Sequence, residues 1–294
     1  MRVPRFILSE LSAAGAVSPA QELIISGEEA KHLRKVLRKQ PGDTVEIYIE
    51  ATGDSYLCEI AAFSDAGAHC TVKQQLRRDR LPEITLCAAV VAKDKCDFIV
   101  EKAVEIGAAE ICFFFAARSQ ERFEQAVVEK RLDRWQRISA AALKQSGTPR
   151  LPRISAHADL PSLLAKLHPD PSRMDKSIRV VCCAPEHPGA SEAPIPAQTG
   201  EKTDLLSVLE TGWNRLAEPI QASLEKVPQS VDSYILIGPE GGFIDEELEQ
   251  ARRWTYVSAS LGPNVLRAET AATLALGVFQ LFWFSKATRE TAAK

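Results

Sequence analysis

This 294-residue chain lacks most of the patterns that announce a cofactor or a metal. Neither G-x-G-x-x-G nor G-x-x-x-x-G-K-[ST] occurs, so both common phosphate cradles are missing, which argues against a dinucleotide or a nucleoside triphosphate. The seven cysteines contain no C-x-x-C pair. An odd count without a framework points to reduced thiols used as small hydrophobes, as in the apolar run Val180-Val181-Cys182-Cys183-Ala184. The five histidines, at 32, 69, 157, 168 and 187, make no ligand spacing, so no metal is expected.

Charge of one sign is also scarce: the net charge of −3 gives no global signature of a nucleic-acid binder. Local clusters carry more information. Lys31, His32, Arg34, Lys35, Arg38 and Lys39 crowd together, and Arg77, Arg78 and Arg80 form a second knot, with a solvated helix face as the plain alternative. Long apolar runs are absent too. The most apolar stretch, Ala268 to Phe284, is interrupted by Glu269, Thr270, Thr273 and Gln280, whereas a membrane-spanning helix needs about 20 mostly apolar residues. It reads instead as a core or dimer helix. The opening Met1-Arg2-Val3-Pro4-Arg5 has neither the apolar segment nor the cleavage site of a secretory signal, and a cytoplasmic protein is expected.

What the chain does have is ordinary material for folding: 45% hydrophobic and 26% charged residues, over a length that suits two domains. The first third alternates like a small β domain. Val45, Ile47 and Ile49 share one face, Thr52-Gly53-Asp54-Ser55 makes a turn, and Tyr56 to Ile60 returns as a hairpin. Ser26 with Glu29 reads as a capping box opening a helix with Leu33, Val36 and Leu37 on its apolar stripe, ended by Pro41-Gly42. A boundary near residue 79 separates a domain over 1–78 from one over 79–294.

In the second domain, continuous apolar strands at Ile84 to Val91, Ile111 to Phe115, Ile178 to Ala184, Ser233 to Ile237 and Tyr256 to Leu261 alternate with other segments. Helices are predicted from Asp97 to Gly107 and from about Glu121 to Gly147. That pattern predicts an α/β fold whose parallel sheet is covered on both faces. Pro185 to Gly200 is read as a surface loop, and Leu205, Leu209, Trp213 and Leu216 follow at helical spacing, so an insertion spans about 185–230.

Two loops near the C-terminus stand out. Ile237-Gly238-Pro239-Glu240-Gly241-Gly242-Phe243 follows one apolar strand, and Ser260-Leu261-Gly262-Pro263-Asn264-Val265-Leu266-Arg267-Ala268-Glu269-Thr270 follows another. Each on its own reads as a tight turn. Together, both at the carboxyl ends of sheet strands, they suggest one pocket that a flat ligand can approach closely. These loops resemble those of the ribosomal RNA small subunit methyltransferase E family, part of the SPOUT superfamily. Further along the resemblance are Arg2-Val3-Pro4-Arg5-Phe6, His32-Leu33 with Val36-Leu37-Arg38, Glu101 to Gly107, Arg118-Ser119, Trp135 and Gln145-Ser146.

The resemblance implies a SPOUT-type trefoil-knotted parallel sheet domain preceded by a small PUA-like β-barrel, and a homodimer. It implies S-adenosyl-L-methionine-dependent methylation of N3 of a specific uridine in 16S rRNA of the small ribosomal subunit. The donor is expected against Ile237, Gly238, Pro239, Glu240, Gly241 and Gly242 of the first loop, and against Ser260, Leu261, Gly262, Val265, Leu266 and Arg267 of the second. An imide nitrogen must lose its proton and its anion must be stabilised. Arg267 suits the stabilising role and Glu269 or Glu240 the base, with an ion pair between Arg267 and either glutamate as the plain alternative.

RNA contacts are expected from Arg5, His32, Arg34, Arg118, Gln145, Ser146 and Arg150. The chain departs from the family at Lys144, where relatives usually carry glutamate, and at Thr148, where they usually carry arginine. The other readings are a SPOUT ribose 2′-O-methyltransferase and a non-catalytic rRNA-binding assembly factor.

Overall fold

The computed structural model describes residues 3–9, 17–77, 81–169, 176–183, 204–222 and 231–292. The chain forms two compact units, residues 1–80 with 140–151 and residues 81–139 with 152–294.

The first unit is built on β1 (Arg5–Leu8), β2 (Glu22–Ile25), β3 (Thr44–Ile49), β4 (Asp54–Ser64) and β5 (Gly67–Leu76), hydrogen-bonded in the order β1-β3-β4-β5-β2. β1 runs parallel to β3 and the remaining pairs are antiparallel. The alternation along β3 turns Val45, Ile47 and Ile49 into a single core with Phe6 of β1, Leu23 and Ile25 of β2, Ile60 of β4 and Val72 of β5. Strands at opposite edges of the sheet share that core, which requires the sheet to roll around it. Register shifts between Leu57 and Cys58 and between Ile60 and Ala62 supply bends of the kind that let a strand do so.

After β2 comes α1 (Gly27–Lys31), which continues as a π-helical turn over His32–Val36 and buries Leu33. The predicted capping box does not form: the Ser26 side chain makes no cap bond. Glu29 is drawn instead to Lys144, whose ammonium lies 2.6 Å from its carboxylate. Val36 and Leu37, expected on the apolar stripe, are exposed, because the π turn rotates them away from the core.

Arg5, expected at the RNA, has a side chain only 2% exposed and pairs with Glu46 at 2.8 Å. Its guanidinium donates to the carbonyl oxygen of Thr148 at 2.6 Å and to Ser55 Oγ at 2.9 Å, and lies over the Tyr48 ring. Burial and these partners make it an internal strut that fastens the 143–148 segment to the sheet.

The second unit holds a six-stranded, wholly parallel sheet in the order β11-β9-β10-β6-β7-β8. Its strands are β6 (Ile84–Ala89), β7 (Glu110–Phe114), β8 (Arg153–His157), β9 (Ser177–Cys182), β10 (Asp232–Ile237) and β11 (Val257–Ala259). Strand order departs from chain order at β9, since β10 is inserted between β9 and β6 while β11 pairs on the other side of β9.

The central strands are apolar on both faces because both are covered. Ile84, Leu86, Ile111, Phe113, Ile235 and Ile237 point to one core, where they meet α2 (Lys93–Ile106), α3 (Gln125–Ser146), α5 (Leu205–Ala222) and α7 (Ala268–Ala292). Cys87, Ala89, Cys112, Phe114 and Leu236 point to the other, against α4 (Leu160–Leu167) and α6 (Asp245–Arg253). Burying both faces of these strands is the main favourable term holding the sheet in place. Within the first core Trp135 of α3 stacks on Phe113 with ring centroids 4.1 Å apart.

The expected amphipathic helix is α5, with Leu205 and Leu209 buried and Leu206 exposed. The loop predicted over 185–200 lies outside the described residues. Along α7, Phe279, Phe282 and Trp283 enter the core of their own unit, leaving Leu274, Leu281 and Phe284 as the exposed apolar side chains. No helix among the described residues is long and apolar enough to cross a membrane. All seven cysteines are free.

The second core also holds a histidine as a neutral group. His168, at the end of α4, is buried; its Nε2 is 3.1 Å from the Tyr256 hydroxyl and its ring lies edge-on to Tyr234. Burial, with the charge of Arg179 second, pushes its pKa down to about 3. In the unfolded chain a histidine takes up a proton near pH 6.5. Stability from the neutral ring is therefore complete above that pH and drains away as pH falls towards 3. The urea midpoint of the protein is expected to drop between pH 6.5 and 5 more steeply than that of His168→Gln; parallel curves would show that His168 takes no part.

Candidate functional site

The carboxyl ends of all six parallel strands lie on one side of the sheet, and the two glycine-containing loops leave from there. The first runs from Gly238 to Ile244 between β10 and α6, the second from Ser260 to Arg267 between β11 and α7. Their glycines divide into two kinds. At Gly238 a Cβ would lie 2.9 Å from the Phe243 ring, and at Gly241 it would lie 3.2 Å from Cβ of Arg118, so these two make room for the protein's own packing. Gly242 (φ +72°) and Gly262 (φ +120°) have nothing within 4 Å of a Cβ position, and their backbone lies bare to the surroundings. Only glycine adopts both of those conformations without strain.

Each loop is held in shape from outside. The Gly242 amide donates to the Pro239 carbonyl at 2.9 Å, closing a turn. Arg118, from the segment after β7, donates to the Gly241 carbonyl at 2.8 Å. Glu247, in the first turn of α6, accepts from the Ala117 and Ile244 amides at 2.9 and 3.0 Å, tying that segment to the loop. In the second loop Ser260 Oγ accepts from the Gly262 amide at 3.2 Å and donates to its carbonyl at 3.0 Å. The Leu205 amide at the start of α5 donates to the Ser260 carbonyl at 3.1 Å. Ile237 is buried, Leu261 packs against the core, and Val265 and Arg267 are exposed.

A residue absent from the sequence reading joins the loops. Lys95 stands in the first turn of α2, which starts just past the carboxyl end of β6. Its Nζ lies 2.6 Å from Glu240 Oε1 in the first loop and 4.0 Å from Glu269 Oε2 at the end of the second. Glu240, hydrogen-bonded to that ammonium, is held below the usual carboxylate range. Lys95 is correspondingly pushed up, by the bond to Glu240 first, with the charge of Arg267 opposing. Glu240, Glu269 and Arg267 therefore share one neighbourhood. The plain alternative for Arg267 does not occur: both glutamates face Lys95, and the Arg267 guanidinium has no ion pair among the described residues.

The remaining RNA candidates separate. His32 and Arg34 are exposed on the π turn, Arg34 over the Phe63 ring at 5.7 Å. Gln145 is exposed, Ser146 Oγ accepts from the Thr148 amide at 3.2 Å, and Arg150 is half-buried. These five belong to the first unit, and Arg118 sits on the Gly241 loop of the second.

Residues 78–280 match the family described as the RNA methyltransferase domain, and residues 25–73 match the RNA methyltransferase PUA domain. The chain belongs to the RNA methyltransferase family. Among its relatives is the ribosomal RNA small subunit methyltransferase E of Bacillus subtilis, 26% identical over 262 residues, which make up 88% of this chain and 90% of the relative. The protein of the same name from Mycobacterium bovis is 26% identical over 276 residues, 92% of this chain and 89% of the relative. The crystal structure of the ribosomal RNA small subunit methyltransferase E from Neisseria gonorrhoeae bound to S-adenosyl methionine superimposes with a TM-score of 0.69 at 22% identity, covering 96% of this chain and 98% of that one. The family resemblance and the fold class expected from the sequence are both borne out.

Proposed function

We propose that the protein methylates N3 of a uridine in 16S rRNA, as a homodimer, with S-adenosyl-L-methionine as methyl donor. The observation that carries this reading is that one lysine, Lys95, lies between Glu240 of the first loop and Glu269 in the first turn of α7, just past the second loop, which supports one site built from both loops. The chain's own surfaces fit the donor. Bare main chain at Gly242 and Gly262 admits a flat ring, and Ile237 and Leu261 offer apolar walls. The relatives' names and the donor bound in the gonococcal structure point the same way.

When bound, the donor supplies an electrophilic methyl group on a sulfonium. The protein's part is to present the acceptor nitrogen and manage its proton. Arg267, exposed at the mouth of the second loop and free of ion pairs among the described residues, offers paired N–H donors to the carbonyl oxygens over which an imide anion spreads. His32, Arg34, Gln145, Ser146 and Arg150 would grip RNA from the domain over 1–78 and the 140–151 segment, fixing register through phosphates. Arg118 would act by shaping the donor loop. The exposed stripe of Leu274, Leu281 and Phe284 on α7 supports a dimer of the 79–294 domain, and sedimentation showing only monomer would exclude it.

Nucleoside analysis of 16S rRNA from small subunits treated with the protein and labelled donor tests the reaction. Label in N3-methyluridine is expected. Label in a ribose-methylated nucleoside would replace this reading with ribose 2′-O-methylation, and no label with no donor binding would leave an assembly factor.

A further inference from the structure

Of the titratable groups at the site, Lys95 has no assigned task and the most selective geometry. Its ammonium is unequally shared: within hydrogen-bond reach of Glu240 Oε1 at 2.6 Å, but 4.0 Å from Glu269 Oε2, beyond a hydrogen bond and within range of a strong field. The two carboxylates also differ in surroundings. Glu240 is 33% exposed in its side chain and Glu269 15%, and Glu269 Oε2 is buried with no hydrogen-bond donor among the described residues. A buried carboxylate oxygen without a hydrogen-bond donor is costly, and it keeps a lone pair open to accept a proton.

We propose that Lys95 is a positioning residue that divides the two carboxylates by role, fixing Glu240 as a permanent anion and leaving Glu269 as the acceptor of the N3 proton; this rests on the function proposed above. A carboxylate that already receives a short, charge-assisted bond is a poor base, in keeping with the lowered pKa of Glu240. Glu269 has the open lone pair.

Among the described residues the charged groups of the cluster are Lys95 on α2, Glu240 in the first loop, Arg267 at the end of the second loop and Glu269 in the first turn of α7, two cations and two anions. Transfer of the N3 proton to Glu269 Oε2 leaves the nitrogen its electron pair. The cluster then carries one unit of positive charge beside the imide that has become an anion. That pair forms the new N–CH3 bond as the S–CH3 bond breaks, its electrons passing to sulfur to leave a neutral thioether. Glu269 returns its proton to solvent. Lys95 keeps the cycle directional, because without it Glu240 competes for the proton.

The test uses the full chain in wild-type, Lys95→Met, Lys95→Arg, Glu240→Gln and Glu269→Gln forms. Carboxyl carbon resonances are titrated without donor or RNA, donor binding is followed by calorimetry with S-adenosyl-L-methionine, and turnover on small subunits is measured against pH. In Lys95→Met the Glu240 midpoint is expected to rise. Turnover should fall about tenfold or more, and the acid limb of the pH profile should move up by roughly one unit. Donor affinity should change less than turnover, and Lys95→Arg should recover part of the loss. Glu269→Gln should cost at least about ten times more turnover than Glu240→Gln.

An unmoved Glu240 midpoint and pH profile in Lys95→Met, or a greater loss from Glu240→Gln than from Glu269→Gln, would overturn the proposal. Absence of donor heat in the wild-type chain would overturn the reading of the site, whereas the Glu240 titration decides the Lys95 pairing without any donor.

Discussion

Arg5→Ala is expected to destabilise the first unit by about 3–5 kcal/mol, the usual cost of removing one partner of a buried ion pair. The reason is what stays behind. Glu46 is 7% exposed and would lose the guanidinium that lies 2.8 Å from its carboxylate, while the Thr148 carbonyl and Ser55 hydroxyl would lose a donor. Stabilities of about 5–15 kcal/mol are normal for a whole protein, so a large share would be lost. Hydrogen exchange of the β3 and β4 amides is the direct readout, because those strands carry Glu46 and Ser55. Protection should collapse in the first unit and persist across β6, β7 and β10. Unchanged protection together with weaker RNA binding would mean that Arg5 is a phosphate ligand after all.

Arg267→Ala should leave donor binding measurable and lower turnover by about 100-fold or more, the range seen when one preorganised donor to a developing anion is removed. The expectation rests on its placement: exposed, one residue before α7, beside the Lys95 cluster, and without an ion pair among the described residues. A side chain with no structural partner can be deleted at little cost to the fold, so the loss should appear in kcat with the melting temperature almost unmoved. Arg267→Lys should recover only part of the loss, since a point charge does not reproduce the paired donors. Undiminished turnover would remove Arg267 from the chemistry.

Much of this molecule was legible from residue pattern where burial is two-sided. Ile84, Leu86, Ile111, Phe113 and Ile235 form continuous apolar runs because helices cover both faces, and those strands and their parallel pairing were expected. Pattern fails at the sheet's margin. Among the described residues β8, Arg153–His157, pairs only with β7 and carries polar residues on a half-open edge; together with the short α4 behind it, it went unpredicted. The same limit applied to β2 of the first unit.

The site was legible in its loops and opaque in its connections. Glycine spacing marked both loops, but Lys95 is 145 residues from Glu240, and nothing local distinguishes it from any lysine in a helix's first turn. The pairing of Arg5 was hidden for the same reason, since its partner Glu46 lies on a strand that only the folded sheet brings alongside. Ser26 and Glu29 satisfied a local rule that a distant cation, Lys144, overrode.

The most direct measurement is a crystal structure of the protein with S-adenosyl-L-methionine. The adenosyl group should lie against the main chain of Gly238–Gly242 and Leu261–Leu266, with Lys95 still bridging Glu240 towards Glu269. A donor bound elsewhere on the chain, or loops that close over their own backbone and exclude it, would contradict the account.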